Sequence, residues 1–553
     1  MIATLFGYLY MAFTTLALGV LFRHLCRRLT GYSVRSSSGV IISGIAFTAV
    51  FAGFWHLLHA VDLSAFIFLF AAGAVILFVL RRETADLIRP LISPGGMRLT
   101  LVLLLSVFVV ISAAEAHDWD TYLYHAQAVR WMETYRVVPG LANFHKRFGY
   151  NSALMPLHAL MSMSFTGHPI HIVNGFVSFI IISRSVFALR AAVSSRCFRR
   201  SVLLHLSALF YFVYSIDSMS SLGTDIVPMM LLIYIFSLWC DLHDAGESDP
   251  VPYGLLALLG IFDITVKLSV ATISLLAVAV LIWLIKEKKV REIAFFSCFS
   301  LITVIPYFIR NVITTGYLLY PMESLDLFDL DWKVPREVAY WDRAEIVMFG
   351  RLFDGTLEDS IGLPLAGWFQ AWFSRIDQVP RIMLLLCLFF GAGALIYSVR
   401  CIRGKKGFRE IFIMAVAVCG MLYWLLSAPL MRYGLATILI ALSVMAGTVL
   451  SDTKRVGQMA VLLGVFTLLY VPVKINTDYL TENENLIWAA PFYQHECKEL
   501  TMTDRSGAPH TIYMPVEGDQ GGYDVFPETP YYSDEFVRMR GDSFGDGFIG
   551  SGF

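Results

Sequence analysis

"RLTLVLLLSVFVVISAAEAHDWDTYLYHAQAVRWMETYRVV", Arg98 to Val138, decides how the chain is read. Arg98–Ala113 is an apolar run of membrane-spanning character. Directly after it, "AEAHDWDTYLYHA" (Ala114–Ala126) crowds two aspartates, a glutamate and two histidines at the mouth of that run. Beyond the mouth, Leu123, Ala126, Val129 and Met132 recur at helical spacing, with Gln127, Arg130 and Glu133 elsewhere around the turn. That pattern predicts an amphipathic helix lying on a membrane surface. A span, a charged mouth and a surface helix together put the chemistry at the boundary between lipid and water.

The composition agrees with a membrane-embedded chain. Of 553 residues, 57% are hydrophobic and only 15% charged, and the mean hydropathy is +0.66. A soluble chain of this length buries a core without such an excess. Lys+Arg 42 against Asp+Glu 43 leaves a net charge of -1, which argues against nucleic acid as a partner. The eight cysteines are scattered, without a CxxC pair, so neither a disulfide framework nor a zinc motif is expected, and Cys497 has no evident partner.

Apolar runs predict about fourteen spans, from 2–22 through 98–114 to 457–473. The least regular pair, 253–285, is one run broken by "DITVKLS". Basic clusters orient them: Arg23, Arg27, Arg28 and Arg35; Arg81, Arg82 and Arg89; Arg190, Arg196, Arg199 and Arg200; "KEKKVRE" at 286–292; "RCIRGKKGFRE" at 400–410; and Lys454–Arg455. All fall on one side, which the positive-inside rule makes the cytoplasm. The loops 115–169 and 310–379 and the tail 476–553 then share the external face. No phosphate-binding P-loop and no large cytoplasmic piece is present, so an ATP-driven pump is not expected. The first loop also holds "ALMPLHALMSMSF", too short to span and expected as a second interfacial helix.

Asp118 and Asp120 are the candidate catalytic residues, one of them a general base that takes a proton from an attacking hydroxyl group. Asp118 is the first choice. The competing view is that one of them caps the surface helix. His117, Asp118, Asp120 and His125 are also credible metal ligand types, but in no tight motif; no metal is assigned, no cofactor is certain, and a divalent cation stays open as an alternative. Lys146 and Arg147 in "FHKRFGYNS", Lys267 in "DITVKLS", Arg310 and Asn311 at the end of a span, and Arg432 after "SAPLM" all fall on the external face. Such cations converging on one point suit a phosphate; singly, each is an interfacial anchor, and Lys267 alternatively pairs with Asp263 one turn earlier. Asp217 and Asp225 are expected to cap loops. The tail, with "YMPVEGDQGGYDVFPETPYY", has the Gly and Pro positions of an ordered, turn-rich surface. Candidate acceptor or sugar contacts are His117, Tyr122, His125, Asn151, Glu517 and Asp519.

From "HDWDTYLYHA" through "FGYNSALMPLHALM" to "HIVNGFVSF", with "GIFDITVKLS", "RNVITTGYLLYP" and "SAPLMRYG" later, the chain resembles the GT-C superfamily of polytopic membrane glycosyltransferases. The tail's "GDQGGYDVFP" belongs to the same likeness, to a subgroup of bacterial GT-C-like membrane proteins. The resemblance implies an all-α polytopic fold: helices outside the common core at 1–97, a GT-C-like core at 98–475 and an external C-terminal segment at 476–553. It implies an enzyme of the EC 2.4 class in a bacterial inner (cytoplasmic) membrane, with its active site on the periplasmic face. The donor would be a polyprenyl-phosphate-linked sugar and the acceptor a glycan or lipid-linked molecule. Asp118 or Asp120 would be the base, and Lys267, Arg310 or Arg432 would hold the donor phosphate. The family's acidic pair is adjacent or of D-E form, whereas here it is D-W-D. The rival expectations are a transporter or flippase of lipid-linked saccharides, and a polysaccharide polymerase or ligase.

Overall fold

Apolar segments close their backbone hydrogen bonds internally, as a lipid solvent requires, and the outcome is an array of helices. The computed structural model describes residues 1–92, 96–195, 199–351, 356, 362–405, 407–450, 454–475 and 486–551. Its helices run α1 (Ile2–Thr30), α2 (Ser37–Leu58), α3 (Leu63–Val79), α4 (Arg81–Ile92), α5 (Gly96–Ala113), α6 (Ala126–Thr134), α7 (Leu141–Phe144) and α8 (Leu154–Met161). They continue as α9 (Val173–Ser195), α10 (Ser201–Tyr214), α11 (Ile226–Asp244), α12 (Pro250–Val266), α13 (Ser274–Lys286), α14 (Val290–Thr315) and α15 (Arg336–Gly350). The last five are α16 (Leu365–Arg375), α17 (Gln378–Arg403), α18 (Phe408–Ser427), α19 (Met431–Val449) and α20 (Lys454–Lys474).

Among the described residues, nine helices are long and apolar enough to cross a membrane: α1, α2, α9, α11, α13 with its lead-in from Leu268, α14, α17, α18 and α19. A tenth arises if α3 and α4 count as one span, but the two bend by 89°. Glu83 of α4 turns back to Arg27 and His24 of α1, each at 2.8 Å. The remaining expected runs form shorter apolar helices, Met97–Ala113, Ser201–Tyr214, Pro250–Val266 and Leu462–Lys474. The fold is thus a polytopic helical membrane protein. Arg196 and Lys406, which helped to orient the spans, lie outside the described residues.

Small residues set the closest helix contact. A Cβ on Gly44 of α2 would sit 1.7 Å from the carbonyl oxygen of Thr15, and one on Gly19 of α1 would sit 2.1 Å from that of Val40. The two backbones meet where no side chain fits, the packing that substitutes for hydrophobic attraction in lipid.

One end of the bundle gathers the large loops. The Met1 amino group donates to Trp488 O at 2.6 Å. Ala490 N–H donates to Ala113 O, Gly140 N–H to Ile313 O and Ala153 N–H to Thr265 O. The opposite end carries the ion pairs Arg184–Asp241, Arg200–Asp244 and Lys289–Asp249.

Three local expectations are corrected. The all-α expectation gives way in the tail, whose described residues include strands: β1 (Cys497–Thr503) pairs antiparallel with β2 (Pro509–Pro515), and β3 (Val537–Met539) with β4 (Phe548–Gly550). Asp504 makes the first hairpin turn by accepting the N–H groups of Ser506 and Ala508, both at 2.8 Å. Helix α6 does not lie bare on a lipid surface. Ala126 and Val129 face the helical core, while Ala128 and Trp131 pack with Phe144, Phe148, Ile512 and Phe548 under the tail. Helix α8 is not interfacial either, because every one of its residues is buried.

Candidate functional site

Asp120 stands just before a π-helical turn, Thr121–His125, and its side chain makes no capping hydrogen bond. A π turn re-aims neighbouring groups and often marks a functional position. Freed from capping, the carboxylate meets Arg432 Nη2 at 2.9 Å and Arg147 Nη1 at 3.8 Å. Arg432 Nε lies 3.7 Å from Asp225, which also pairs with Lys267. The Tyr433 ring joins the cations: Lys267 Nζ is 3.9 Å from its centroid, and Arg432 Nη2 donates to its hydroxyl at 3.1 Å. Three cations and two carboxylates therefore share one site, and Glu345, 4.0 Å from Arg147 Nη2, stands at its edge. Burial by itself would raise the Asp120 carboxyl, but Arg432, Arg147 and Lys267 together hold it below the usual carboxylate range.

Each member is placed by its own local structure. Arg432 follows a turn clamped by two indoles, Trp372 Nε1 donating to Pro429 O at 3.0 Å and Trp424 Nε1 to Leu430 O at 2.8 Å. Lys267 sits where α12 stops, in extended geometry (φ -153, ψ 127). Ser152 Oγ donates to Val266 O there at 2.9 Å, tying the first loop to the break. Asp225 precedes α11 without capping it. Its turn is held by Asn174 Nδ2, which donates to Ser221 O and Gly223 O. Arg147 is the second residue of a 3-10 turn, Lys146–Gly149, and its N–H donates to His145 Nδ1 at 3.1 Å. Burial lowers the His145 pKa to about 3, so the ring stays neutral and able to accept.

The two aspartates of D-W-D part company. Asp118 accepts from Ser218 Oγ at 2.6 Å in the turn before α11, while Asp120 faces the cations. Trp119 between them is 59% exposed, a ring free to receive a ligand face. His117, Asp118, Asp120 and His125 do not gather around one point among the described residues. His125 is buried, with both ring nitrogens unpartnered, and burial lowers its pKa to about 3.

Of the expected phosphate ligands, Arg147, Lys267 and Arg432 are brought together. Lys146 points next door, to Glu345 at 2.5 Å and Asp342 at 3.8 Å. Arg310 does not join them: it is buried, donating to Ser152 O at 3.2 Å, because it lies on the face of α14 that meets the first loop. Asn311 closes its own helix end by donating to Leu318 O at 2.9 Å. Lys267 pairs with Asp225, not with Asp263. Tyr122 accepts from Tyr493 N–H at 3.2 Å, and Asn151 donates to Tyr307 O at 2.9 Å, so both are structural joints. Glu517 is exposed, and Asp519 accepts from Tyr531 at 3.4 Å. Neither bonds to the Asp120 cluster among the described residues. Asp225, expected only as a loop cap, makes no capping bond and belongs to the site instead, and Tyr433 is a member that the sequence did not single out. The one available signal for Asp225 was its place on the loop face beside a span.

A second feature lies at the other end. A cavity of about 1120 Å³ opens between α2, α5 and α9–α12, walled by apolar side chains and bordered by Arg35, Arg184, Arg199 and Asp241.

A family model described as a domain of unknown function (DUF8201) matches residues 1–439, and the chain belongs to that family. The match takes in every member of the Asp120 cluster, and the tail lies beyond it. No curated protein and no solved structure matches the chain.

Proposed function

We propose that this member of the DUF8201 family is a membrane glycosyltransferase of GT-C type, moving a sugar from a polyprenyl-phosphate-linked donor to a glycan or lipid-linked acceptor. In this scheme the chain crosses a bacterial inner membrane about fourteen times, with the loop-bearing end external. The observation that carries the proposal is the Asp120 carboxylate held between Arg432 at 2.9 Å and Arg147 at 3.8 Å, beside the Lys267–Asp225 pair.

An acceptor hydroxyl is a weak nucleophile. Asp120 takes its proton as its oxygen bonds to the anomeric carbon, and the bond from that carbon to the phosphate oxygen breaks. Negative charge gathers on the departing polyprenyl phosphate, where Arg432, Arg147 and Lys267 stabilise it. The lipid tail of such a donor explains a site at the membrane boundary. Trp119 supplies an apolar ring for a sugar face.

A flippase or transporter of lipid-linked saccharides is the second reading, favoured by the 1120 Å³ cavity at the opposite end. It is large enough for a lipid headgroup, and its rim carries Arg35 and Arg199. Purified protein in proteoliposomes with polyprenyl-phosphate sugars separates the two. The enzyme releases polyprenyl phosphate and extends an acceptor, while the flippase moves the intact donor between leaflets. Transbilayer movement without any released polyprenyl phosphate, across a panel of donors and acceptors, overturns the transferase.

A further inference from the structure

The tail carries a cluster that the transfer scheme does not use. His495 and Cys497 stand two apart in an extended run entering β1, so their side chains leave the same side of the backbone. Glu528 reaches them from the segment beside β2, where it bridges Tyr513. His495 Nε2 is 2.5 Å from Glu528 Oε1, and Cys497 Sγ is 3.0 Å from that nitrogen and 3.3 Å from that oxygen. The three donor atoms all lie within 4.8 Å of one another.

Two observations separate this from an ordinary hydrogen-bond network. A relay through histidine uses its two ring nitrogens, one for each partner. Here the same Nε2 faces both the thiol and the carboxylate, so the donors point at a common centre. Glu528 is also fully buried, 1% exposed, with no Lys or Arg against it among the described residues. Among the described residues its other oxygen accepts only Gly522 N–H, at 2.9 Å. A buried carboxylate beside a thiol needs a positive partner. The geometry points to a divalent transition-metal ion, zinc foremost, bound by His495 Nε2, Cys497 Sγ and Glu528 Oε1 with a fourth position open to water or a ligand.

The mixed sulfur, nitrogen and oxygen set selects against Ca²⁺ and Mg²⁺, which favour all-oxygen shells. Bond lengths of about 2.3 Å to sulfur and about 2.0–2.2 Å to nitrogen and oxygen put tetrahedral ligand atoms roughly 3.3–3.7 Å apart. The two sulfur contacts are near that spacing, and the His495–Glu528 pair opens by about 1 Å on binding. Second contacts already hold the set. The Glu528 N–H donates to Gln127 Oε1 at 3.0 Å, and the Tyr493 ring stacks on His495. Because Gln127 belongs to α6, the ion would fasten the tail to the helix that follows Asp120. This site stands independently of the glycosyl-transfer proposal.

The test uses the full chain purified in detergent, stripped with a chelator and titrated with Zn²⁺ or Co²⁺. About one equivalent of zinc should remain after gel filtration, measured by mass spectrometry of the metal. Bound cobalt should show the near-ultraviolet thiolate-to-metal band. Cys497→Ser should abolish the band, and His495→Gln and Glu528→Gln should each weaken zinc binding by about 10–100-fold. Wild-type protein that retains no zinc, or binds cobalt without a thiolate band, overturns the site whatever the variants do. So does a folded Cys497→Ser variant that binds zinc as tightly as the parent.

Discussion

Replacing Asp120 with Asn tests the proposed base and leaves most of the architecture in place. The amide keeps one oxygen for Arg432, which sits 2.9 Å from the carboxylate, and Asp225 at 3.7 Å still balances the guanidinium. What disappears is the proton acceptor. A positioned base is worth about 10²–10⁴ in rate, and at 1.36 kcal/mol per tenfold this is about 3–5 kcal/mol of barrier. Asp118→Asn is the control two residues away. Asp118 accepts one hydroxyl, Ser218 Oγ at 2.6 Å, so its change costs about 1 kcal/mol of stability and leaves turnover within about threefold. Each variant is expressed as the sole copy, protein level and thermal midpoint are checked, and lipid-linked and surface glycans are profiled by mass spectrometry. Asp120→Asn should accumulate the donor lipid and lose the glycan product, while Asp118→Asn should match the parent. Unchanged glycans in a folded Asp120→Asn protein, or a larger loss from Asp118→Asn, refute the assignment.

Arg432→Lys keeps the charge but gives up the fork that spans Asp120 and Asp225, and should lower transfer by about 10–100-fold at wild-type abundance, read in the reconstituted assay. Gly434→Ala puts a Cβ 2.2 Å from the Trp424 ring, and should cost about 1–3 kcal/mol in thermal unfolding and displace the Arg432 turn. Burial raises Glu133 from the ordinary 4.5 to about 7, against hydrogen bonds from Ser162 and Tyr523 and the charge of Arg130. With the folded value above the unfolded one, its contribution is complete below about pH 4.5 and fades as pH rises through about 7, by up to roughly 3 kcal/mol. Glu133→Gln should flatten the dependence of the thermal midpoint on pH across that window, and an unchanged slope would count against it.

The spans were legible because lipid imposes one solution on an apolar segment. The breaks were legible for the same reason: Lys267, with Asp263 a turn before it, and Arg432, just after Pro429, interrupt otherwise apolar stretches. Rotation about a helix was not. Arg310 and Lys267 both look like cations at the end of a span, yet α14 turns Arg310 against Ser152 O, while the broken end of α12 lets Lys267 reach Asp225. Asp225 reads locally as a cap, and only contact with a residue 42 positions away makes it part of a charged site. The surface helix misled for a similar reason. Its polar face looked solvated, but Gln127 donates to Gly522 O and Val525 O, nearly four hundred residues along.

The charges of the cluster are already paired with one another, and that pairing bears on how the proposed reaction would run. Burial would raise the Asp120 carboxyl, but Arg432 and Arg147 beside it hold it below the usual range, which makes it a weaker base than a free aspartate. A phosphodiester donor entering the site would bring one negative charge shared by two oxygens and would compete for those same guanidiniums, which pair with phosphate through two parallel N–H groups. As Arg432 shifts toward it, Asp120 loses its strongest neighbour and its proton affinity rises toward that of a working base. Asp225 completes the exchange by holding Lys267 and the Nε edge of Arg432, so neither cation leaves the site when Asp120 is released. Donor binding and base activation thus become one electrostatic event. The second carboxylate, which the sequence offered only as a loop cap, is what keeps that event reversible.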